Sequence, residues 1–258
     1  MLTHRLNTIF FIVVVIGLIV LSFFRAIAWW YFLVPVLLWF FITAAGSVLI
    51  RWNYHLKAYC RQKKPDGNQI AITFDDGPTP YTEKVLDLLA KYNAKATFFC
   101  IGRQIDLYPE IFKRIVKEGH TVSNHTYNHA SNIGFYPKER MVEELMLTDA
   151  AIERYSGKKA LLFRPPFGVT NPNIARAVKT TGHYVIGWNV RSLDTIIKDE
   201  AHILSRITNR LVPGSIVLLH DTTQKTVNVL EQLLVFLKQN KYELVTVDQL
   251  LKIPPYEE

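Results

Sequence analysis

Two adjacent carboxylates, Asp75 and Asp76, directly follow an apolar run with the composition of a buried strand. Neighbouring carboxylates repel each other, so a pair at one strand end needs a cation or a shared proton to hold it. Gly77 and Pro78 follow and turn the chain away. This segment therefore indicates a cation site, although the same residues also suit an ordinary polar turn.

Two histidines, His125 and His129, are separated by three residues. One helical turn would place side chains at this spacing on the same face of the chain. Two imidazoles and one carboxylate, such as that of Asp76, would form an open zinc site with a fourth position left for water. A surface loop that contains two histidines by chance is the alternative.

Two further segments contain residues suited to chemistry. Arg164 precedes two prolines, and a permanent cation in such a stiff turn could address a carboxylate without fluctuating. His220 ends the apolar run that starts at residue 215. Taken alone, each also fits a structural role, Arg164 as a solvated cation on a rigid turn and His220 as a hydrogen-bonded structural histidine.

Short β-like runs alternate with amphipathic helical windows from about residue 66 onward. This alternation predicts parallel strands in an α/β fold, in which chemistry lies at the carboxyl ends of the strands. The residues named above follow or end the first, third, fourth and sixth runs, while Trp188 ends the fifth and Asp194 comes shortly after it. The runs are 70–74, 96–101, 120–123, 161–164, 184–188, 215–220 and 242–245, and the windows are 82–92, 109–118, 138–155, 171–181, 199–211 and 225–239.

The N-terminal part of the chain is almost continuously apolar, since Arg25 is the only ionised side chain between Ile9 and Ile50. A straight helix over this length would be about 60 Å long, roughly twice the hydrocarbon core of a bilayer. We therefore predict an N-terminal transmembrane helical hairpin with helices at about 8–25 and 28–50. A signal peptide is the alternative, which the second apolar stretch disfavours. The predicted organisation is a membrane anchor (1–52), a basic linker (53–68) and a globular domain (69–258).

The excess of basic residues lies beside this apolar segment. The first 64 residues hold seven of the 30 Lys and Arg residues and none of the 22 acidic ones, so they carry +7 of the formal net charge of +8. This pattern is typical of sequence next to a membrane span and excludes a nucleic-acid partner as the reason for the basic pI. With two spans through the inner membrane, six of the seven lie on the side of the globular domain, which the positive-inside rule assigns to the cytoplasm. A single span with Arg5 inside would place the domain outside.

Four segments taken together resemble the NodB-homology polysaccharide deacetylases, carbohydrate esterase family 4. They are 73–77, 125–129, 164–168 and 218–221, and they occur in the family's order. The resemblance runs from about residue 69 to residue 251. It implies a distorted (β/α) barrel and a metal-dependent hydrolase that removes N-acetyl groups from amino sugars of a polysaccharide or lipid-linked glycan and releases acetate.

The same resemblance implies a role for each matching residue. Asp76, His125 and His129 would bind a divalent metal, with Zn²⁺ expected and Co²⁺ or Ni²⁺ also suited to these donors. Asp75 would be the general base, which Arg164 orients.

On the other side of the site, the resemblance makes His220 the general acid and Asp194 the carboxylate that steadies it. Leu218 would line the pocket for the acetyl methyl group, and a backbone N–H near Tyr81 would face the oxyanion. The remaining residues expected to contact substrate are Pro166, Phe167 and Trp188.

One position departs from the family pattern, because Thr195 follows Asp194 where many members have tryptophan. One wall of the groove, and with it the identity of the glycan, therefore stays open. The expected partners are an N-acetylated glycan and the lipid bilayer, and the sequence does not predict an oligomeric state.

Three alternative functions remain. A hydrolase of small amides has no evident need for a membrane anchor, because its substrate diffuses freely. A non-catalytic glycan-binding module would not require Asp75 and His220, since neither is needed to hold a metal. A phosphohydrolase would need a Gly-rich or Lys-bearing phosphate cradle, and the sequence contains no such motif.

Overall fold

The alternating runs and windows form parallel strands and surrounding helices in the computed structural model, which describes residues 2–257. The strands are β1 Ala58–Tyr59, β2 Gln69–Asp75, β3 Thr97–Cys100, β4 Thr121–Asn124, β5 Leu162–Phe163, β6 Tyr184–Ile186, β7 Val190–Arg191, β8 Ile216–His220 and β9 Glu243–Leu244. The helices are α1 His4–Ser22, α2 Trp30–Val48, α3 Pro80–Lys91, α4 Gly102–Leu107, α5 Pro109–Lys117, α6 Lys138–Ser156, α7 Pro172–Thr181, α8 Glu200–Thr208, α9 Gln224–Gln239 and α10 Val247–Leu251. Short 3₁₀ helices occupy Ile50–Trp52, Ile133–Phe135 and Pro166–Gly168.

The strand order is β1-β6-β5-β4-β3-β2-β8-β7, with β9 added beside β2, and all these strands pair in parallel. Only residues 187–189 separate β6 from β7, yet β6 lies near one edge of this order and β7 forms the other edge. The sheet must therefore curl back on itself. This architecture confirms the predicted α/β fold with a distorted barrel.

Strand β2 shows how alternation sends side chains to two different cores. Ile70 and Phe74 belong to the apolar cluster that packs beneath the outer helices, including α3 and α9. Ala71 belongs to a second cluster on the opposite, concave face of the sheet. Thr73 and Asp75 alternate to that same face, because successive side chains of a strand point to opposite sides. The apolar pattern of β2 therefore directs Asp75 into the interior of the curl.

The segment expected to be a basic linker, 53–68, contributes instead to the sheet. Its residues 58–59 form β1, which pairs with β6, and Arg61 forms an antiparallel bridge with Ser215. The Gln62 N–H donates to the Gly214 carbonyl at 2.9 Å. The physical reason is the free edge of β6, whose backbone groups need hydrogen-bond partners. The linker was expected from the charge and polarity of the segment, and neither property reveals that the edge of β6 requires a pairing strand.

Helices α1 and α2 are long and apolar enough to cross a membrane, and they have 19 residues each. That length corresponds to about 28 Å, close to the thickness of a bilayer's hydrocarbon core. The two helices contact each other, with Trp39 Nε1 donating to Thr8 Oγ1 at 3.1 Å. Helix α1 begins four residues before the expected start because the Thr3 hydroxyl accepts from the Leu6 N–H and caps it. A signal sequence would meet the same length and composition criterion.

Candidate active site

The two carboxylates at the end of β2 point in different directions. Asp75 is the last residue of the strand and is 3% exposed, whereas Asp76 has a left-handed backbone with φ of +76°. This conformation is uncommon outside glycine and breaks the alternation of the strand. Asp75 therefore faces the concave interior, and Asp76 turns toward the loop that follows β4.

His125 and His129 come together on that loop, without the helical turn that could also have brought side chains at this spacing to one face. The loop bends through left-handed residues at Thr126 and His129, with φ of +68° and +49°. The His125 ring is held by Nδ1, which lies 2.7 Å from the Arg164 carbonyl. Because that carbonyl can only accept, Nδ1 carries the proton and the Nε2 lone pair faces the site.

Asp76, His125 and His129 form a set of donor atoms that fits a divalent cation. Asp76 Oδ1 lies 3.5 Å from His125 Nε2 and 3.3 Å from His129 Nε2. Two ligands that are each about 2.0–2.1 Å from a tetrahedral ion lie roughly 3.4 Å apart, which matches both separations. These residues can therefore hold one metal ion between a carboxylate and two imidazoles.

Electrostatics keep Asp76 and His129 in the protonation states that a metal requires. Burial alone would raise the pKa of Asp76, but the hydrogen bond and charge of His125, with the charge of His129, lower it to about 2. Burial, together with the nearby His125, lowers the pKa of His129 to about 4. At neutral pH the carboxylate is therefore ionised, and the His129 imidazole keeps a free lone pair.

Arg164 is fully buried and occupies the centre of the site. Its Nη1 donates to Asp75 Oδ1 at 2.6 Å and to the Thr73 hydroxyl at 2.7 Å. Its Nε and Nη2 donate to the backbone carbonyls of Ile186 and Gly187 at 3.2 and 3.1 Å. The structure thus brings Arg164 to Asp75, and the four bonds leave both side chains little freedom to move.

His220, at the end of β8, is paired with Asp194. His220 Nδ1 lies 2.8 Å from Asp194 Oδ1, and the His220 backbone N–H donates to Asp194 Oδ2 at 2.8 Å. The hydroxyls of Ser192 and Thr226 also donate to the Asp194 carboxylate, at 2.7 and 2.9 Å. Burial alone would lower the pKa of His220, but the hydrogen bond and charge of Asp194 raise it to about 9. The imidazole is therefore protonated at neutral pH.

The residues expected to contact substrate differ in how far they are exposed to the site. Phe167 is 51% exposed, and its ring lies 4.9 Å from the ring of His129, which places it at the mouth of the site. Leu218 is buried and pairs with Thr73 in the sheet. Trp188 is buried and packs so closely under Gly168 that a Cβ there would overlap the indole ring.

Of the other two expected contacts, Pro166 is buried in the short helix of the Phe167 loop and shapes that loop. The Tyr81 N–H donates to the Thr79 hydroxyl at 3.1 Å as part of the cap of α3, so this donor already has an acceptor. Thr195 is exposed next to Ile196, which is 69% exposed. The wall where many family members have tryptophan is therefore open.

Glu144 supports the histidine loop and was not singled out by the sequence analysis. It is buried on α6, and its carboxylate oxygens, Oε1 and Oε2, accept three hydrogen bonds from the loop that carries the histidines. Oε2 accepts from the N–H groups of Tyr127 and Asn128 at 3.0 and 2.8 Å, and Oε1 accepts from Asn128 Nδ2 at 2.8 Å. The sequence does contain a pattern that indicates a buried role for Glu144, because this acidic residue falls within the apolar stripe of the helix, between Met141 and Leu145.

Asp221 is a second residue of this kind. It is fully buried, and burial raises its pKa to about 7. Its carboxylate accepts from the Thr82 hydroxyl at 2.5 Å, and its backbone carbonyl accepts from the Thr79 hydroxyl, so it ties the end of β8 to the start of α3. A Cβ at Gly77 would overlap this carboxylate, which explains why glycine follows the two aspartates.

Known proteins with similar sequences and folds include polysaccharide deacetylases. Residues 62–186 match the family model of polysaccharide deacetylases. A peptidoglycan-N-acetylglucosamine deacetylase of Bacillus cereus is 36% identical over 214 residues, which are 80% of this chain and 99% of that protein. A crystal structure of a peptidoglycan N-acetylglucosamine deacetylase superposes with a TM-score of 0.72 at 28% identity, covering 78% of this chain and 94% of the other.

A second similar structure bears on catalysis. It is a mutant of a Bacillus anthracis pseudoenzyme of carbohydrate esterase family 4, with restored enzymatic activity. It superposes with a TM-score of 0.68 at 28% identity and covers 73% of this chain and 69% of the other. Because a pseudoenzyme shares this fold, the fold alone does not establish activity, and the side chains of the site must decide.

Glu144→Gln should weaken metal binding by about 10- to 100-fold, because an amide group can accept only with its oxygen and would present its NH₂ to at least one donor of the loop. Isothermal titration with Zn²⁺ measures this affinity. Glu143→Gln is the matched control, since Glu143 is the exposed neighbour on the same helix. Equal affinities of the two variants would mean that Glu144 does not position the loop.

Proposed function

The chain belongs to the polysaccharide deacetylase family, and on that basis we propose that it hydrolyses the N-acetyl group of amino sugars in a glycan and releases acetate. The observation that carries the proposal is the completeness of the site. Asp75 and His220 flank the donor set, each with its own positioning partner, Arg164 and Asp194. Neither pair is needed to hold a metal, so a purely glycan-binding module has no use for them.

Activation of water is the first requirement of this reaction, because an amide carbonyl is a poor electrophile. A divalent cation on Asp76, His125 and His129, which we propose to be Zn²⁺, would polarise the carbonyl and lower the pKa of the attacking water. Asp75 would take the proton from that water. Its Oδ1 is engaged by Arg164, while its Oδ2 lies 3.8 Å from His125 Nε2, on the side of the donor set, and can accept the proton.

Departure of the amine is the second requirement. The water oxygen bonds to the carbonyl carbon, and the C–N bond breaks only if the nitrogen receives a proton. Protonated His220 would supply it from Nε2, because Nδ1 is directed to Asp194. The products are acetate and a free amino sugar, and the site returns to its starting state when Asp75 releases its proton and His220 takes one up.

The name of the Bacillus cereus relative supports N-acetylglucosamine as the sugar of the substrate. The open wall beside Thr195 and Ile196 leaves room for a neighbouring sugar unit on that side of the mouth. The alternative function, hydrolysis of freely diffusing small amides, explains neither this open rim nor the apolar helices α1 and α2.

We propose further that α1 and α2 anchor the protein in the inner membrane, with the domain on the cytoplasmic side. Both ends of the hairpin lie on the side of the domain, together with six of the seven basic residues of the first 64. Arg25 lies in the turn between the helices, on the far side. The positive-inside rule then favours the cytoplasm for the domain.

Asp75→Asn should reduce acetate release from an N-acetylated chito-oligosaccharide by roughly 10²-fold or more, because the amide keeps the shape of the base but cannot take a proton. Zn²⁺ content should stay at the wild-type level. Asp87→Asn on the exposed face of α3 serves as the control and should keep full activity. Wild-type turnover in the Asp75 variant, or no acetate release by the Zn²⁺-loaded wild type, would contradict the proposal.

The rate of acetate release should fall as the pH rises through about 9, because His220 loses its proton above its raised pKa. Asp194→Asn removes the charge that raises this pKa and leaves the burial that lowers it. The alkaline limb should therefore move toward or below the ordinary histidine pKa of about 6.5. The measurement is the rate of acetate release by the wild type and by Asp194→Asn across neutral and alkaline pH. If the two rates fall over the same pH range, His220 is excluded as the acid.

A reporter that is active only in the cytoplasm, fused after Glu258, tests the membrane side. We expect an active fusion that stays in the membrane fraction after carbonate extraction. An expressed but silent fusion would place the domain outside and make an exported glycan the substrate. Release of the protein by carbonate would contradict anchoring by the hairpin.

A further inference from the structure

The two apolar helices are fastened to the domain through Tyr54, which is 2% exposed. Its hydroxyl accepts from Asn7 Nδ2 on α1 at 2.7 Å and lies 3.0 Å from the Thr43 hydroxyl on α2. Its backbone carbonyl accepts from the His4 N–H at 2.8 Å. Gly46 packs against the ring so closely that a Cβ there would overlap it. One buried side chain thus joins both helices to the segment that leads into β1.

Ser47, in the last turn of α2, makes two further connections. Its backbone carbonyl accepts from the Thr170 N–H at 2.8 Å, and its hydroxyl lies 2.9 Å from His55 Nε2. After α2 ends at Val48, only Leu49 precedes the buried Ile50, which packs near Gly187. The junction therefore contains no flexible linker, and the helices and the domain form one body.

The bond from Ser47 to Thr170 also fixes the distance between the membrane and the active site. Thr170 is three residues from Phe167, a span of at most about 11 Å. The Phe167 ring lies 4.9 Å from the ring of the metal ligand His129. Since α2 is just long enough to cross the hydrocarbon core, Ser47 lies at its edge. With the Phe167 side chain included, the donor set is roughly 25 Å or less from the apolar part of the bilayer, and the headgroup layer accounts for about 6 Å of this distance.

Two exposed aromatic side chains, Phe135 and Phe167, lie on the rim of the site on this side. Phe135 is 90% exposed on the loop beside Phe167, and the two loops are joined by a bond of 2.6 Å from Asn171 Nδ2 to the Gly134 carbonyl. Asn171 directly follows Thr170, so this loop also lies next to the end of α2. An exposed phenyl ring that reaches the headgroup and acyl boundary is stabilised there, because its apolar surface leaves water.

We propose that the hairpin holds the active site at the surface of the bilayer, where it deacetylates an amino sugar attached to a membrane lipid. The inference rests on the proposed deacetylase function and on the hairpin spanning the membrane. For an active site held at this height, the effective concentration of a sugar attached to a lipid is high. The effective concentration of a sugar held far from the membrane surface is low. The structure thus points to lipid-linked glycans as the substrate class.

Full-length protein in vesicles tests the proposal with three substrates. These are an N-acetylated sugar attached directly to a lipid, the same sugar on a long polyethylene glycol spacer on that lipid, and a soluble chito-oligosaccharide. We expect the wild type to release acetate from the short lipid-linked sugar about tenfold faster than from the long one. Hydrolysis of the soluble substrate reports the deacetylase function separately.

Gly46→Leu combined with a flexible Gly/Ser insertion after Leu49 should free the domain from the hairpin. Its preference for the short substrate should disappear, while its rate on the soluble substrate stays at the wild-type level. Gly17→Leu is the matched control on α1, because a Cβ at Gly17 meets no neighbouring atom. It should keep the preference.

A second measurement does not depend on these variants. A nitroxide at Phe135→Cys, in a Cys60→Ser background, should be reached by lipid-soluble oxygen more readily than one at Lys238→Cys, on the exposed end of α9. Equal wild-type rates on the short and long lipid-linked substrates, or a fully aqueous label at 135, would overturn the proposal. If no substrate at all is hydrolysed, the deacetylase function fails instead.

Discussion

The site depends on one buried cation. Arg164 is the largest fully buried side chain among the described residues, and its guanidinium joins β2, through Thr73 and Asp75, to the end of β6. Burial lowers its pKa, but a guanidinium starts from so high a value that it stays charged. Such a charge is tolerated only when it is paired and hydrogen-bonded, and here Asp75 and three neutral acceptors provide this. The remainder of the site is arranged around this pair.

The backbone of the same residue organises the metal side. Because the Arg164 carbonyl holds His125 by Nδ1, the residue that pairs with Asp75 also sets the orientation of the proposed metal ligand His125. Arg164 therefore couples the position of the proposed base to that of the proposed ligand. His220 and Asp194 form a separate unit on β8 and the loop after β7. Asp75 and His220 are nevertheless paired residues of adjacent strands, which places the proposed base and the proposed acid at the same end of the sheet.

Local patterns in the sequence predict most of this arrangement, because alternation, caps and motif residues act over a few positions. The seven strand runs and the six helical windows all appear in the structure. Long-range requirements are not visible in the same way. Strand β1 exists because β6 has a free edge, and Glu144 is buried because a loop some 16 residues away needs acceptors. The loop of His125 and His129 lacks a helix because Glu144 and left-handed residues shape it instead, which residue spacing alone cannot reveal.

Acetate release and stability, measured together for Arg164→Met and for Arg164→Met with Asp75→Asn, test the central role of the buried pair. The single variant leaves a buried carboxylate unpaired, so we expect about 3–5 kcal/mol less stability and a turnover at least about 10²-fold lower. The double variant should regain stability but not turnover. Both should still bind Zn²⁺, because the main-chain carbonyl at position 164 remains to hold His125. A stable Arg164→Met variant with wild-type turnover would contradict the dependence of the site on this pair.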